Sequence, residues 1–108
     1  MTITLPPPVE TYFASENAHD TTAIDGCFAT NASVCDEGRS IKGTAEIRAW
    51  RLETFQKYRH SVEPLAVSTL DEKVVVTGRV SGNFPGSPIT LDHIFEIKGG
   101  TIVSLEIR

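Results

Sequence analysis

A chain of 108 residues with a net charge of −4 falls within single-domain range and can bury a core without disulfides or a metal. Its 10 lysines and arginines are scattered instead of forming the basic stripe that phosphate backbones require, so nucleic acid is excluded as a partner. No apolar run approaches the roughly 20 residues of a bilayer crossing, and Met1 to Glu10 has neither a basic start nor an apolar signal segment; a soluble, cytoplasmic protein without membrane contact is the expectation.

Pro6, Pro7 and Pro8 form an extended lead-in, and Pro8 suits the first turn of a helix, where its missing N–H costs nothing. Val9, Tyr12, Phe13 and Glu16 recur at helical spacing. Asp20, Thr21 and Thr22 supply N-cap candidates for a second, short helix carrying Ile24, Cys27 and Phe28. From Asn31 to Gly38, Ala32, Val34 and Asp36 alternate against Ser33, Cys35 and Glu37, as in a strand that ends in a turn.

Gly43 and Thr44 mark the start of a third helix, with Ile47, Trp50, Arg51, Thr54, Phe55 and Tyr58 along one face. After His60 the pattern becomes β: Val62 to Leu70, Lys73 to Phe84, Ile89 to Lys98 and Thr101 to Ile107, joined by turns at Asp71-Glu72, Pro85-Gly86-Ser87 and Gly99-Gly100. Three helices and then an antiparallel meander give an α+β class, in one domain spanning residues 1–108. Cys27 and Cys35 lack the partners of a zinc site or disulfide scaffold and read as reduced, packed thiols. Arg39, Arg48, Arg51 and Arg79 read as solvated.

This order, with the segments YFASENAHD, ASVCDEG, KGTAEIRAW and HIFEIKGGTIVSLEI, resembles the SnoaL-like branch of the nuclear transport factor two-like superfamily over nearly the whole chain. That superfamily includes polyketide cyclases, ketosteroid isomerases, scytalone dehydratase and limonene epoxide hydrolase, and also domains that only bind. The resemblance implies a cone-shaped domain, three N-terminal helices packed on a strongly curved antiparallel sheet with a central apolar pocket. It also implies a homodimer packed through the sheet, and neither a metal nor an organic cofactor.

Against the ketosteroid isomerase pattern, Tyr12 and Asp36 stand at the positions of the oxyanion-binding tyrosine and the proton-carrying aspartate. The family's late-strand acid falls at Leu91-Asp92-His93. Strand alternation puts Leu91, His93, Phe95 and Ile97 on one face and Asp92, Ile94 and Glu96 on the other, so His93 faces inward unless a bulge makes Asp92 do so. Phe28 replaces a second tyrosine of the isomerase network and Arg51 falls near a third, which argues against steroids as substrates.

The expected catalytic residues are therefore Asp36 as base, with His93 and Tyr12 steadying an enolate oxygen; Trp50, Phe28 and Asp92 are expected to line the substrate pocket. Each also has a purely structural use: Asp36 as a turn closer, His93 and Tyr12 as satisfied core residues. The activity implied is cofactor-independent acid–base catalysis of isomerase, cyclase or dehydratase type on a small, mostly apolar carbonyl compound. The alternative is a non-catalytic small-molecule-binding or dimerisation domain of the same fold.

Overall fold

The computed structural model describes residues 4–36, 38–71 and 73–108, so Glu37 and the turn position Glu72 lie outside the described residues. Helix α1 (Pro7–Ala18) begins on a proline pair and buries Val9, Tyr12, Phe13 and Glu16 along one face, the spacing of three and four expected of a core-facing helix. It ends at His19 in the left-handed conformation, where the Asp20 N–H reaches back to the Ser15 carbonyl at 2.9 Å. A single turn, α2 (Ile24–Cys27), follows. Asp20 caps no helix directly: its Oδ1 accepts from the Thr22 N–H and hydroxyl in an Asx-type turn.

Phe28, expected in that second helix, instead opens strand β1 (Phe28–Asp36). Strand β2 (Arg39–Lys42), absent from the sequence reading, pairs antiparallel with the end of β1, and Gly43 at φ 86° then turns the chain into α3 (Thr44–Tyr58). A glycine serves at that position because a side chain disfavours positive φ. Ile47, Trp50, Arg51 and Phe55 form the buried stripe of α3. The helices thus do not all precede the sheet, since β1 and β2 lie between α2 and α3.

The remaining strands are β3 (Ser61–Leu70), β4 (Lys73–Ser81), β5 (Ile89–Lys98) and β6 (Thr101–Ile107). They form the expected antiparallel meander, with β5 and β6 joined across Gly99 and Gly100, both at positive φ as a two-residue hairpin turn requires. The sheet order is β2-β1-β6-β5-β4-β3, with β1 parallel to β6, so six strands replace the expected five. Register breaks at Phe28/Ser33, Pro64/Ala66 and Glu96/Ile97 each insert local twist, which curls the sheet around the helices. Pro64 is accommodated because β3 is an edge strand.

The core lies in the concavity, where Tyr12 meets Phe13, Phe28 and Phe95 edge-on at centroid distances of 5.3, 5.8 and 5.4 Å. Of the two cysteines, Cys27 is buried, its thiol pKa pushed up to about 11 by desolvation, whereas Cys35 is exposed rather than packed. Among the described residues no helix is long and apolar enough to cross a membrane.

Gly82 follows β4 against the C-terminal end of α3; a Cβ there would stand 2.8 Å from the Tyr58 carbonyl oxygen and 3.0 Å from the His60 Cα. Both are backbone atoms that cannot swing away. Gly82→Ala is expected to cost about 1–3 kcal/mol, read as a lower urea midpoint at unchanged slope.

Candidate active site

A cavity of about 390 Å³ opens between α1, the C-terminal half of α3 and the concave face of the sheet. Glu16, Asp36, Arg51, Thr54, His60 and His93 make its polar lining, and Tyr58, Val80, Phe84, Pro85, Ile89, Leu91 and Ile107 its apolar lining. Leu91, His93 and Ile107 come from the ends of β5 and β6, and Asp36 from the end of β1, which the parallel β1–β6 pairing sets beside Ile107.

Arg51 dominates the interior. It is 3% exposed, contrary to the solvated placement expected of it, because the apolar stripe of α3 carries it under the sheet. Its Nη2 lies 3.1 Å from Glu16 Oε1 and donates to the Tyr12 hydroxyl; its Nη1 donates to Thr54 Oγ1 at 3.3 Å and to His60 Nε2 at 3.2 Å. The guanidinium also lies 3.9 Å from the centre of the Trp50 ring. Burial disfavours the cation, but the charge of Glu16 and the Tyr12 hydroxyl more than offset this and hold Arg51 protonated.

Burial likewise raises the Glu16 carboxyl above its ordinary range against the opposing pull of Arg51, and raises the Tyr12 phenol strongly. His60 and His93 are pushed down to about 4 by burial, with the Arg51 charge adding to the effect, so both are neutral at pH 7. Two side-chain-to-backbone bonds lock the helix α1 end onto β3: Asn17 Nδ2 donates to the Val62 carbonyl at 3.0 Å, and the Val62 N–H donates to Asn17 Oδ1 at 2.7 Å. They hold Glu16 and His60 in register.

Of the residues expected from sequence, Asp36 and His93 meet at the cavity. Asp36 is half-buried and accepts from the Trp50 indole N–H at 3.2 Å, a bond that orients the carboxylate. His93 is 1% exposed, its ring crossed edge-on by Phe13 at 5.3 Å. The bulge in β5 falls at Glu96/Ile97, beyond His93, so the strand alternation holds.

Asp92 is exposed on the opposite face, where it accepts from the Thr77 hydroxyl at 2.9 Å; it takes no part in the lining expected of it. Tyr12, Phe28 and Trp50 also fall outside the lining. Tyr12 is buried with its hydroxyl committed to Arg51, Phe28 packs against Tyr12, and Trp50 lies beneath Arg51. The sequence reading missed Glu16, Arg51 and His60 as a site. The available signal was an acid on the buried stripe of one helix and an arginine on the buried stripe of another, since two such groups are buried together only when paired.

The SnoaL-like domain model matches residues 9–105, and the chain belongs to that family. A Sinorhizobium meliloti protein, provisionally described as a polyketide cyclase, is 39% identical over 96% of this chain and 95% of its own, with a TM-score of 0.93. A Catenulispora acidiphila protein of ketosteroid isomerase-like fold, solved with trimethylamine, is 19% identical over 97% of this chain and 86% of its own at a TM-score of 0.85. A Cytophaga hutchinsonii NTF2-like protein of unknown function is 15% identical over 100% of this chain and 91% of its own at 0.81. The last two establish the shared NTF2-like fold alone. No curated protein matches the sequence.

Glu16→Gln would leave Arg51 buried beside a neutral amide. The expected cost is about 3–5 kcal/mol at neutral pH, measured by denaturant unfolding. A second expectation concerns pH. His93 takes up a proton near pH 6.5 when unfolded but only near 4 when folded, so the unfolded state binds more protons between these values and His93 makes stability fall as pH falls. Glu16, shifted upward, acts in the opposite sense. Comparing the wild type with His93→Phe isolates the histidine: from pH 7 to pH 5 the variant should lose less stability than the wild type, by on the order of 1–2 kcal/mol.

Proposed function

We propose that the cavity is the active site of a cofactor-independent acid–base enzyme acting on a small, mostly apolar carbonyl compound, by isomerisation, cyclisation or dehydration through an enol. The observation that carries this reading is the meeting of a half-buried carboxylate, Asp36, with a buried neutral imidazole, His93, in one cavity with apolar lining. Asp36 takes a proton from the carbon next to the carbonyl and returns it elsewhere on the same skeleton. His93, neutral and therefore holding a single N–H, donates to the oxygen on which negative charge develops, and the fixed charge of Arg51 adds to that stabilisation. Tyr12 acts as a positioning residue through Arg51, and Trp50 through its bond to Asp36.

The test is deuterium exchange at the α-carbon of small cyclic ketones in D2O, followed by proton NMR. The wild type should catalyse exchange, and Asp36→Asn should lower the rate about 10²–10⁴-fold. Equal rates for wild type and variant would remove Asp36 from the mechanism.

A second reading, binding without turnover, is favoured by the Tyr12 hydroxyl, which accepts from Arg51 and lies outside the cavity lining. It requires saturable ligand binding with no exchange and no product by mass spectrometry.

A further inference from the structure

The inward face of β5 grades from open to closed: Ile89 is 44% exposed, Leu91 half-buried, His93 1% exposed, and Phe95 enclosed in the aromatic core. Ile89, Leu91 and His93 all line the cavity, which therefore runs along this strand with its rim at Ile89 and its floor at His93. From Ile89 to His93 the strand advances about 13 Å. The register sets the proposed chemistry at the level of His93, because His93 pairs with Ile107 and Ile107 with Asp36 in one row across β5, β6 and β1.

Two further elements build the rim. Tyr58 ends α3, and Phe84 belongs to the loop between β4 and β5; both line the cavity and both are half-buried. Their rings meet edge-on, with centroids 5.9 Å apart and planes at 86°. The loop is fastened in this position: the Asn83 N–H donates to the Tyr58 carbonyl at 2.7 Å, the Gly82 N–H to the Ser87 hydroxyl at 2.9 Å and the Ser87 N–H to the Phe84 carbonyl at 3.3 Å.

A molecule held with its carbonyl between Asp36 and His93 meets the closed core at Phe95 in one direction along the strand. In the other it passes Leu91, Val80 and Ile89 and arrives at Tyr58 and Phe84. The apolar surface that this pair leaves open to water is covered by a tail that reaches it, and the gain rises with each methylene buried. A shorter molecule leaves the pair exposed and forgoes that gain.

Building on the reading of the cavity as a site for apolar carbonyl compounds, we propose that Tyr58 and Phe84 are its specificity-determining residues. They hold the end of the substrate remote from Asp36 and His93, and so select skeletons long enough to reach the rim. Neither touches a reacting atom, so their part is discrimination between chain lengths and not proton transfer.

Two methyl ketones test this: 2-pentanone, which stops short of the rim, and 2-nonanone, which reaches it. Each is titrated into the ¹⁵N-labelled chain and followed at the indole N–H of Trp50, the one tryptophan of the chain, whose partner Asp36 lines the cavity. The wild type should bind 2-nonanone at least about tenfold more tightly than 2-pentanone, since each buried methylene is worth about three- to fourfold. Phe84→Ala should weaken 2-nonanone about tenfold and change 2-pentanone by less than about twofold, and Phe84→Leu, which keeps an apolar contact, should restore most of the loss. Tyr58→Ala, on the other side of the pair, should act as Phe84→Ala does, so the outcome does not rest on one variant. Equal weakening of both ketones overturns the proposal, because it reduces the pair to a clasp for the loop. Binding of 2-nonanone that neither alanine variant changes also overturns it, as does a wild type without preference for the longer ketone; in these cases the cavity remains a small-molecule site. If neither ketone saturates the wild type, that reading falls and the proposal with it, while deuterium exchange decides turnover separately.

Discussion

The burial of one arginine organises this molecule. A guanidinium removed from water loses hydration worth several kcal/mol even after relaxation, and it stays folded inside only if its surroundings return that loss. Here the return comes from separate elements: Glu16 and Tyr12 on α1, Thr54 on α3 itself, His60 at the entry to β3, and the face of Trp50 below. None of these partners works unless α1, α3 and β3 are docked together. The Asn17–Val62 bonds matter for the same reason, because they fix the α1 end against an edge strand whose backbone would otherwise be open on that side.

The same cation sets the electrostatics of the cavity. It lies in a poorly solvated interior, so its field reaches further than it would in water and opposes protonation of both His60 and His93. A neutral imidazole is the form that can donate a single hydrogen bond to an oxygen without itself being an acid strong enough to surrender the proton outright. The two carboxylates of the cavity differ for a related reason. Glu16 is sealed against Arg51, whereas Asp36 is half-buried, lies at the junction with a second recess lined by Cys35, Gly38 and Arg108, and is bonded to an indole N–H. Environments that differ in this way separate the roles two acids can play.

Much of this architecture was legible in the sequence, and the unread part has physical causes. The face of α1 and the stripe of α3 follow from spacing alone, and strand alternation favoured His93 as the inward residue, although Asp92, which the structure exposes on the other face, was also expected to line the pocket. Local pattern failed where pairing is remote. Strand β1 was read from Asn31 onward, but its start at Phe28 was not, because that first residue pairs with Ile102 of β6, a parallel neighbour distant in the chain, and nothing near Phe28 announces that partner. Strand β2 is too short and polar to read as β until β1 supplies its ladder. Arg51 was misread because composition treats arginine as solvated, although its position on an apolar stripe, matched by Glu16 on another, pointed inward. Tyr12 was misassigned to the cavity for a related reason: spacing identifies the buried face of a helix but not which neighbour captures a hydroxyl there.

A fold selected only for stability would have little use for this cluster. Replacing a buried ion pair with well-packed apolar side chains is often neutral or stabilising, and the curved sheet around Phe13, Phe28 and Phe95 shows that this concavity can be filled that way. Instead the chain places an acid, an arginine and two histidines at one end of the concavity and leaves polar atoms there unpaired, while the aromatic core beside them is closed. Departures from the rules of packing and polar satisfaction, confined to one cavity in an otherwise consistent fold, are characteristic of a site kept for chemistry or recognition. The SnoaL-like scaffold supplies the curl that leaves room for such a cavity, and Glu16, Arg51, His60, Asp36 and His93 supply its polar lining. The chemistry of the site follows from that lining and not from the fold.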